Sequence, residues 1–168
     1  MAYDLDEYGV AEDGRNLVHL MDGVLERLEA IYLSYNVPLP TRRYWTMGTP
    51  AFDCEQATVS FIQMYLGAPG SQASIPQHCN APRTAVLSIS IVRPVPTLNS
   101  QGKFPAAEKI QNAAEISAVD AWILMDSVNL FDNWNNDGFG LGVIATMNAP
   151  AAAGGFTATE MQLVIAVP

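Results

Sequence analysis

Apolar and polar side chains recur along this chain with two different periods. From Arg15 to about Tyr35 the apolar positions follow steps of three and four, which predicts an amphipathic helix. A second helix is predicted from about Pro105 to about Phe131. Its small and apolar side chains form one stripe that we expect to pack closely on a sheet: Ile110, Ala113, Ala114, Ser117, Ala121, Leu124 and Val128.

Alternation with a period of two predicts the strands. Four are expected, at 54–66, 84–94, 139–147 and 156–167, with a short additional strand at 42–46. In the first of the four the alternation changes phase after Phe61, which predicts either a bulge or burial of both faces. The strand at 84–94 is expected to be half-buried. Residues 67–82 and 148–155 are rich in Gly, Pro, Ala and Ser and are predicted to be loops.

These elements predict an α+β fold. We expect a mainly antiparallel sheet of four to five strands, packed by two main helices in the order α-β-β-α-β-β. Residues 1–14 carry five carboxylates and no basic residue, so they are expected to form an acidic N-terminal arm. Residues 15–168 are then a single domain. The arm and the loop at 67–82 are the expected docking segments.

The composition indicates surface that is buried against partners. Charged residues make up 15% of the chain, whereas about 25% is typical of soluble domains. Depletion of charge is a mark of interface surface. A monomer covered in Ser, Thr, Asn and Gln is the alternative. No run approaches the ~18 apolar residues of a membrane span.

The net charge of the chain argues against one class of partner, nucleic acids. A net charge of −9 argues against a protein that neutralises nucleic-acid phosphates. The N-terminal residues show no signal-peptide pattern, so we expect Cys54 and Cys79 to stay reduced.

The residue types that carry catalysis are sparse. His19 has no Cys or His at a ligand spacing, and the His78–Cys79 pair has no recognisable orienting partner. We therefore predict no catalytic residue, no metal site, no cofactor and no enzymatic activity. A small hydrolase remains the alternative if His78, Cys79 and an acid meet in one cleft.

A short Asn- and Asp-rich segment follows the second predicted helix. Asn133, Asn135, Asp137 and Gly138 match the first, third, fifth and sixth positions of an EF-hand calcium loop, but its twelfth position holds Ile144 in place of Glu. A turn that ends the helix is the simpler interpretation. A calcium-stabilised binding module is the alternative.

The one basic pair of this acidic chain lies in an aromatic setting. Two arginines are too few for a nucleic-acid track, so we expect them to contact acidic residues of a neighbouring subunit, in its arm or first helix. Two carboxylates that flank Cys54 are expected on one face of a strand. The candidate subunit-interface residues are Arg42, Arg43, Tyr44, Trp45, Asp53 and Glu55.

Three stretches carry a resemblance to a known family. They are Val37–Phe61 (VPLPTRRYWTMGTPAFDCEQATVSF), Pro82–Pro96 (PRTAVLSISIVRPVP) and Ala113–Phe131 (AAEISAVDAWILMDSVNLF), the last followed by two strands. In these the chain resembles the tail terminator proteins of long-tailed, siphovirus-type bacteriophages, especially those that infect actinobacteria. The acidic arm and the 67–82 loop depart from the family pattern.

The resemblance implies a structural virion protein. Members of this family have a mixed α/β subunit and form a hexameric ring that caps the tail tube and joins it to the head. The implied partners are other copies of the chain, the major tail tube protein and the head–neck connector or stopper, with DNA passing through the lumen without specific binding. Assembly in the host cytoplasm and a final place at the tail–neck junction follow. Another neck component, such as a stopper or connector, is the alternative.

Overall fold

The computed structural model describes residues 12–70, 83–132, 143–153 and 155–167. They form two helices and five strands, which confirms the predicted α+β class. In chain order the elements are α1 (Glu12–Ser34), β1 (Arg43–Met47), β2 (Gln56–Leu66), β3 (Arg83–Pro94), α2 (Ala107–Asp132), β4 (Val143–Ala153) and β5 (Phe156–Val167). Neither helix in these ranges combines the length and hydropathy of a membrane span.

The five strands form one mixed sheet in the order β1-β2-β3-β5-β4. β1 runs parallel to β2, and every other pair is antiparallel, as expected of a mainly antiparallel sheet. Three strands precede α2, because the short segment predicted at 42–46 does form the edge strand β1. Residues 48–55 carry the chain back to the start of β2.

Helix α1 begins three residues before its predicted start, so residues 12–14 of the expected arm belong to the helix. Residues 1–11 lie outside the described part of the chain. The helix ends where Asn36 takes the left-handed conformation, with φ of 54°. The amides of Asn36 and Val37 then donate to the carbonyls of Leu33 and Tyr32 at 3.0 and 3.1 Å. This is the hydrogen-bond pattern of a Schellman cap, which satisfies the last carbonyls of the helix.

The change of phase in β2 is a bulge, which confirms the first of the two predicted explanations. The register with β3 shifts between Phe61 and Gln63. Before the bulge, Ala57 and Val59 lie in the core under the helices. Beyond it, Ile62 and Met64 are partly exposed. One extra residue therefore redirects the apolar side chains of the second half of the strand.

The core lies between one face of the sheet and the two helices. Strand β3 occupies the centre and contributes Ala85, Leu87, Ile89 and Ile91, while α1 contributes Leu20, Val24 and Leu28. The prediction that β3 is half-buried was wrong. Its side chains are buried on both faces from Thr84 to Arg93, with Ser88 alone half-buried in this stretch.

The loop predicted at 148–155 was wrong for residues 148–153, which belong to strand β4. The strand continues to Ala153, which pairs with Phe156 of β5. The register shifts between Asn148 and Ala151, and Pro150 lies within that irregularity. Proline is tolerated at an edge-strand bulge because no ladder hydrogen bond is required of it there. Local composition predicted a loop where pairing with β5 produces a strand.

Helix α2 packs on the sheet with only part of its predicted stripe. Ser117, Asp120 and Leu124 are buried, but Ile110 is about half exposed. The close packing expected for the whole stripe is therefore wrong for the first half of the helix.

Candidate functional site

The six residues predicted as a subunit interface divide into three separate contacts. Arg42 lies just before β1, and its Nη1 donates to Oδ1 of Asp53 at 2.7 Å and to Sγ of Cys54 at 2.8 Å. Its guanidinium also lies 5.3 Å from the ring centre of Tyr44. Asp53 and Cys54 thus share one partner, although alternation on a strand was expected to separate them. The reason is that β2 begins only at Gln56 and residues 53–55 form a bend.

The contact with Arg42 and Cys54 favours the charged form of the Asp53 carboxyl. A hydrogen bond with Cys54, together with the charge of Arg42, lowers the pKa of the Asp53 carboxyl. The ion pair is exposed to solvent on both sides. Exposed pairs of this kind contribute little to stability, so the contact orders the bend more than it stabilises the fold.

Arg43 and Trp45 fasten β1 to the first helix. Nη1 of Arg43 lies 2.6 Å from Oε1 of Glu29, and Nε1 of Trp45 donates to Oδ1 of Asp22 at 2.7 Å. The acidic partners expected on a neighbouring subunit are therefore supplied by the same chain. An additional contact between subunits at this position stays a prediction.

Glu55 belongs to a third cluster, which sequence reasoning missed. Arg93, near the end of β3, places its Nη1 2.7 Å from Oε1 of Glu55 and donates from Nη2 to the carbonyl of Pro38 at 2.8 Å. Its Nε and Nη2 also reach the two carboxylate oxygens of Asp120 in α2, each at 3.0 Å. Tyr32 of α1 donates its hydroxyl to the same carboxylate at 2.9 Å. The Arg93 guanidinium thus joins α2 to the sheet, and the Asp120 carboxylate joins α1 to the same cluster.

Burial makes this cluster sensitive to any lost partner. Asp120 is fully buried, and the Arg93 side chain is 11% exposed. Burial acts to lower the pKa of Arg93, but its hydrogen bond and charge interaction with Asp120 outweigh this and raise it. Burial, with the charge of Asp120 and the hydrogen bond to it, raises the pKa of Tyr32. Arg93 is therefore a fixed cation and Tyr32 a fixed hydrogen-bond donor.

An apolar groove of about 780 Å³ lies next to this cluster. The segment that joins β3 to α2 forms one wall, with Val95, Leu98 and Phe104. The first half of α2 forms the other, with Ile110, Ala114 and Ala121. Phe104 is 80% exposed and Leu98 53%. The small side chains of the predicted stripe are what leave the groove open, since they do not fill the space between helix and segment.

A second cleft of about 510 Å³ continues the groove toward the buried cluster. The two share Val95, Pro96 and Ala113. Unlike the groove, the cleft carries charge, from Glu55, Arg93 and Lys109. The groove is thus apolar along its length and adjoins a charged cleft at one end.

The outward side of α2 is apolar as well. Trp122 is 69% exposed, and its neighbours along the helix surface, Ile116, Val119 and Met125, are each about half exposed. Exposed single apolar residues are common, but large contiguous patches mark interaction sites. The groove and this side of α2 together form what we call the apolar surface.

Among the described residues we find no cluster of metal-ligating side chains. Within them no three His, Cys, Asp or Glu side chains are grouped as metal ligands. Cys54 is a free thiol, and His19 lies exposed on α1. His78, Cys79 and the calcium-loop-like residues 133–138 lie outside the described ranges. The described arrangement comprises an exposed apolar surface and, next to it, a buried ion pair.

Two comparisons with known proteins returned nothing. No protein-family model matches the chain, and no curated protein matches it.

Proposed function

We propose that this chain is a structural subunit that assembles with other copies of itself through the apolar surface of α2. The observation that carries the proposal is that surface: Leu98, Phe104 and Ile110 are exposed at the groove, and Trp122 is exposed on the outward side of α2. Water in contact with such a surface is released when a partner covers it, which favours association. The low charged fraction of the chain supports the same interpretation.

The resemblance to phage tail terminators suggests that the assembly is a ring. In the tail terminators of long-tailed phages the subunits close into a hexameric ring that caps the tail tube. A closed ring needs two different complementary faces on each subunit. The apolar surface supports one of them, and the net charge of −9 is compatible with a lumen through which DNA passes without being bound.

A ring subunit must also keep its faces at a fixed angle. The Arg93 guanidinium contacts Asp120 of α2, Glu55 before β2 and the Pro38 carbonyl after α1. Because one side chain ties three parts of the chain, α2 is held firmly on the sheet. This supports a rigid building block that binds through α2.

Native mass spectrometry of the purified chain, alone and with a tail tube protein from the same genome, tests the proposal. We expect a ring of six copies, formed either by the chain alone or on the tube. Binding to a head–neck protein but not to the tube would assign the chain to another position in the neck. A chain that stays single in every mixture would contradict the proposal.

A further inference from the structure

The apolar groove is flanked by the two lysines of the chain. Lys103 immediately precedes Phe104 of the groove wall, and Lys109 lines the adjoining cleft. Both are exposed, and neither forms an ion pair with a described residue. In a chain of net charge −9, the apolar groove therefore has positive charge at its margins. Its complement is a segment that alternates apolar and acidic side chains.

The N-terminal residues of this chain have that pattern. Tyr3 and Leu5 alternate with Asp4 and Asp6. A segment bound in extended form would direct the two apolar side chains into the groove and the two carboxylates to the opposite side, toward the rim. We infer that residues 3–6 of one copy bind the groove of a second copy, with Asp4 and Asp6 beside Lys103 and Lys109.

Length places this contact between two copies. Tyr32, whose hydroxyl binds Asp120 beside groove residue Ala121, lies near the end of α1 that adjoins the groove. Glu12 precedes it by twenty residues of continuous helix, about 30 Å along the axis. Leu5 precedes Glu12 by seven residues and so reaches at most about 25 Å from it. That reach is shorter than the helix, which favours the groove of a second copy over the groove of the same chain.

The contact is of the kind that builds rings. It uses one surface of the first copy and a different surface of the second, so each copy can bind two neighbours. The inference thus rests on the proposed self-assembly and names its interface. A second copy bound through the Trp122 side of α2 alone, with the groove left empty, is the competing arrangement.

A peptide with the sequence of residues 1–11 tests the contact without requiring a ring. The acceptor is the full chain with Leu5→Asp, which keeps its own N-terminus out of neighbouring grooves. We expect saturable binding by fluorescence anisotropy, and weakening of about tenfold when Lys103→Glu and Lys109→Glu are introduced together. A peptide with Asp4→Lys and Asp6→Lys should recover binding to that doubly reversed chain. Binding that is absent, or that ignores the lysines, overturns the inference.

Oligomer measurements separate this inference from the proposed function. If the intact chain forms rings, Leu5→Asp and Phe104→Asp should each abolish them, and a mixture of the two variants should give dimers through the one intact pair of surfaces. Rings that persist in the Leu5→Asp variant would overturn the arm contact and leave the proposed ring standing. Peptide binding by a chain that never forms a ring would support the contact and contradict the proposed function.

Discussion

Arg93 and Asp120 form a two-point ion pair, with Nε and Nη2 of the guanidinium each 3.0 Å from one carboxylate oxygen. The pair joins the end of the central strand to the middle of α2. It lies directly beside the apolar groove, through the neighbouring residue Ala121. The position of the proposed binding surface relative to the sheet therefore depends on a buried charge contact.

Removing Asp120 should destabilise the fold strongly. In Asp120→Ala the guanidinium of Arg93 and the hydroxyl of Tyr32 both lose their buried acceptor, and breaking a buried ion pair in this way costs about 3 kcal/mol. Urea denaturation followed by circular dichroism measures the loss. Asp53→Ala is the matched control, because its ion pair with Arg42 is exposed, and it should leave the midpoint nearly unchanged. Equal effects of the two substitutions would contradict the assigned role.

The two tyrosines that bind carboxylates should differ in importance. Tyr32→Phe removes a buried donor to Asp120 and should cost about 1–2 kcal/mol. Tyr35→Phe removes a similar hydrogen bond, to Asp126, but in an exposed position. We expect little change in the denaturation midpoint for Tyr35→Phe. A larger loss at Tyr35 than at Tyr32 would show that the buried cluster does not hold the helices together.

Stability should fall at alkaline pH in a way that depends on Tyr32. The folded chain raises the pKa of this phenol above the unfolded value of about 10. A raised pKa means that the stabilisation is complete below pH 10 and is lost as pH rises further, because the unfolded chain releases the proton first. The denaturation midpoint should therefore drop more steeply above pH 10 in the native chain than in Tyr32→Phe. Identical profiles would argue against this assignment.

The apolar side of α2 should affect assembly and leave folding intact. Trp122→Asp changes a side chain that is 69% exposed, so its denaturation midpoint should stay close to that of the native chain. Under the proposed function it should weaken self-association, measured by sedimentation velocity. Leu33→Asp, an exposed apolar position on α1, is the control and should associate normally. Loss of folding in Trp122→Asp would mean that this face is part of the core.

Local patterns in the sequence predicted most helices and strands, but not which elements pack against one another. The phase change near Phe61 predicted a bulge or burial of both faces, and β2 has the bulge, because side-chain alternation reports directly on the pleat. Periodicity also identified the small-residue stripe of α2. It could not show that the helix is buried only from Ser117 onward, since a stripe looks the same whether a sheet or an open groove lies beneath it.

The buried cluster was accessible to sequence reasoning through one signal that was not used. Asp120 lies among the small and apolar positions of α2, between Ser117 and Leu124. A carboxylate on a buried face is almost always paired, so a cationic partner could have been sought on a neighbouring strand. Which of the arginines supplies it depends on how α2 lies across β3, and sequence periodicity holds no information on that packing.

Native mass spectrometry of the intact chain, with and without a tail tube protein from the same genome, tests the central claim most directly. The account predicts a species of six copies of the 18.2 kDa chain, alone or on the tube. The Trp122→Asp variant should fail to form it while remaining folded. A single-copy species for the native chain under both conditions, with the apolar surface of α2 still exposed, would contradict the account.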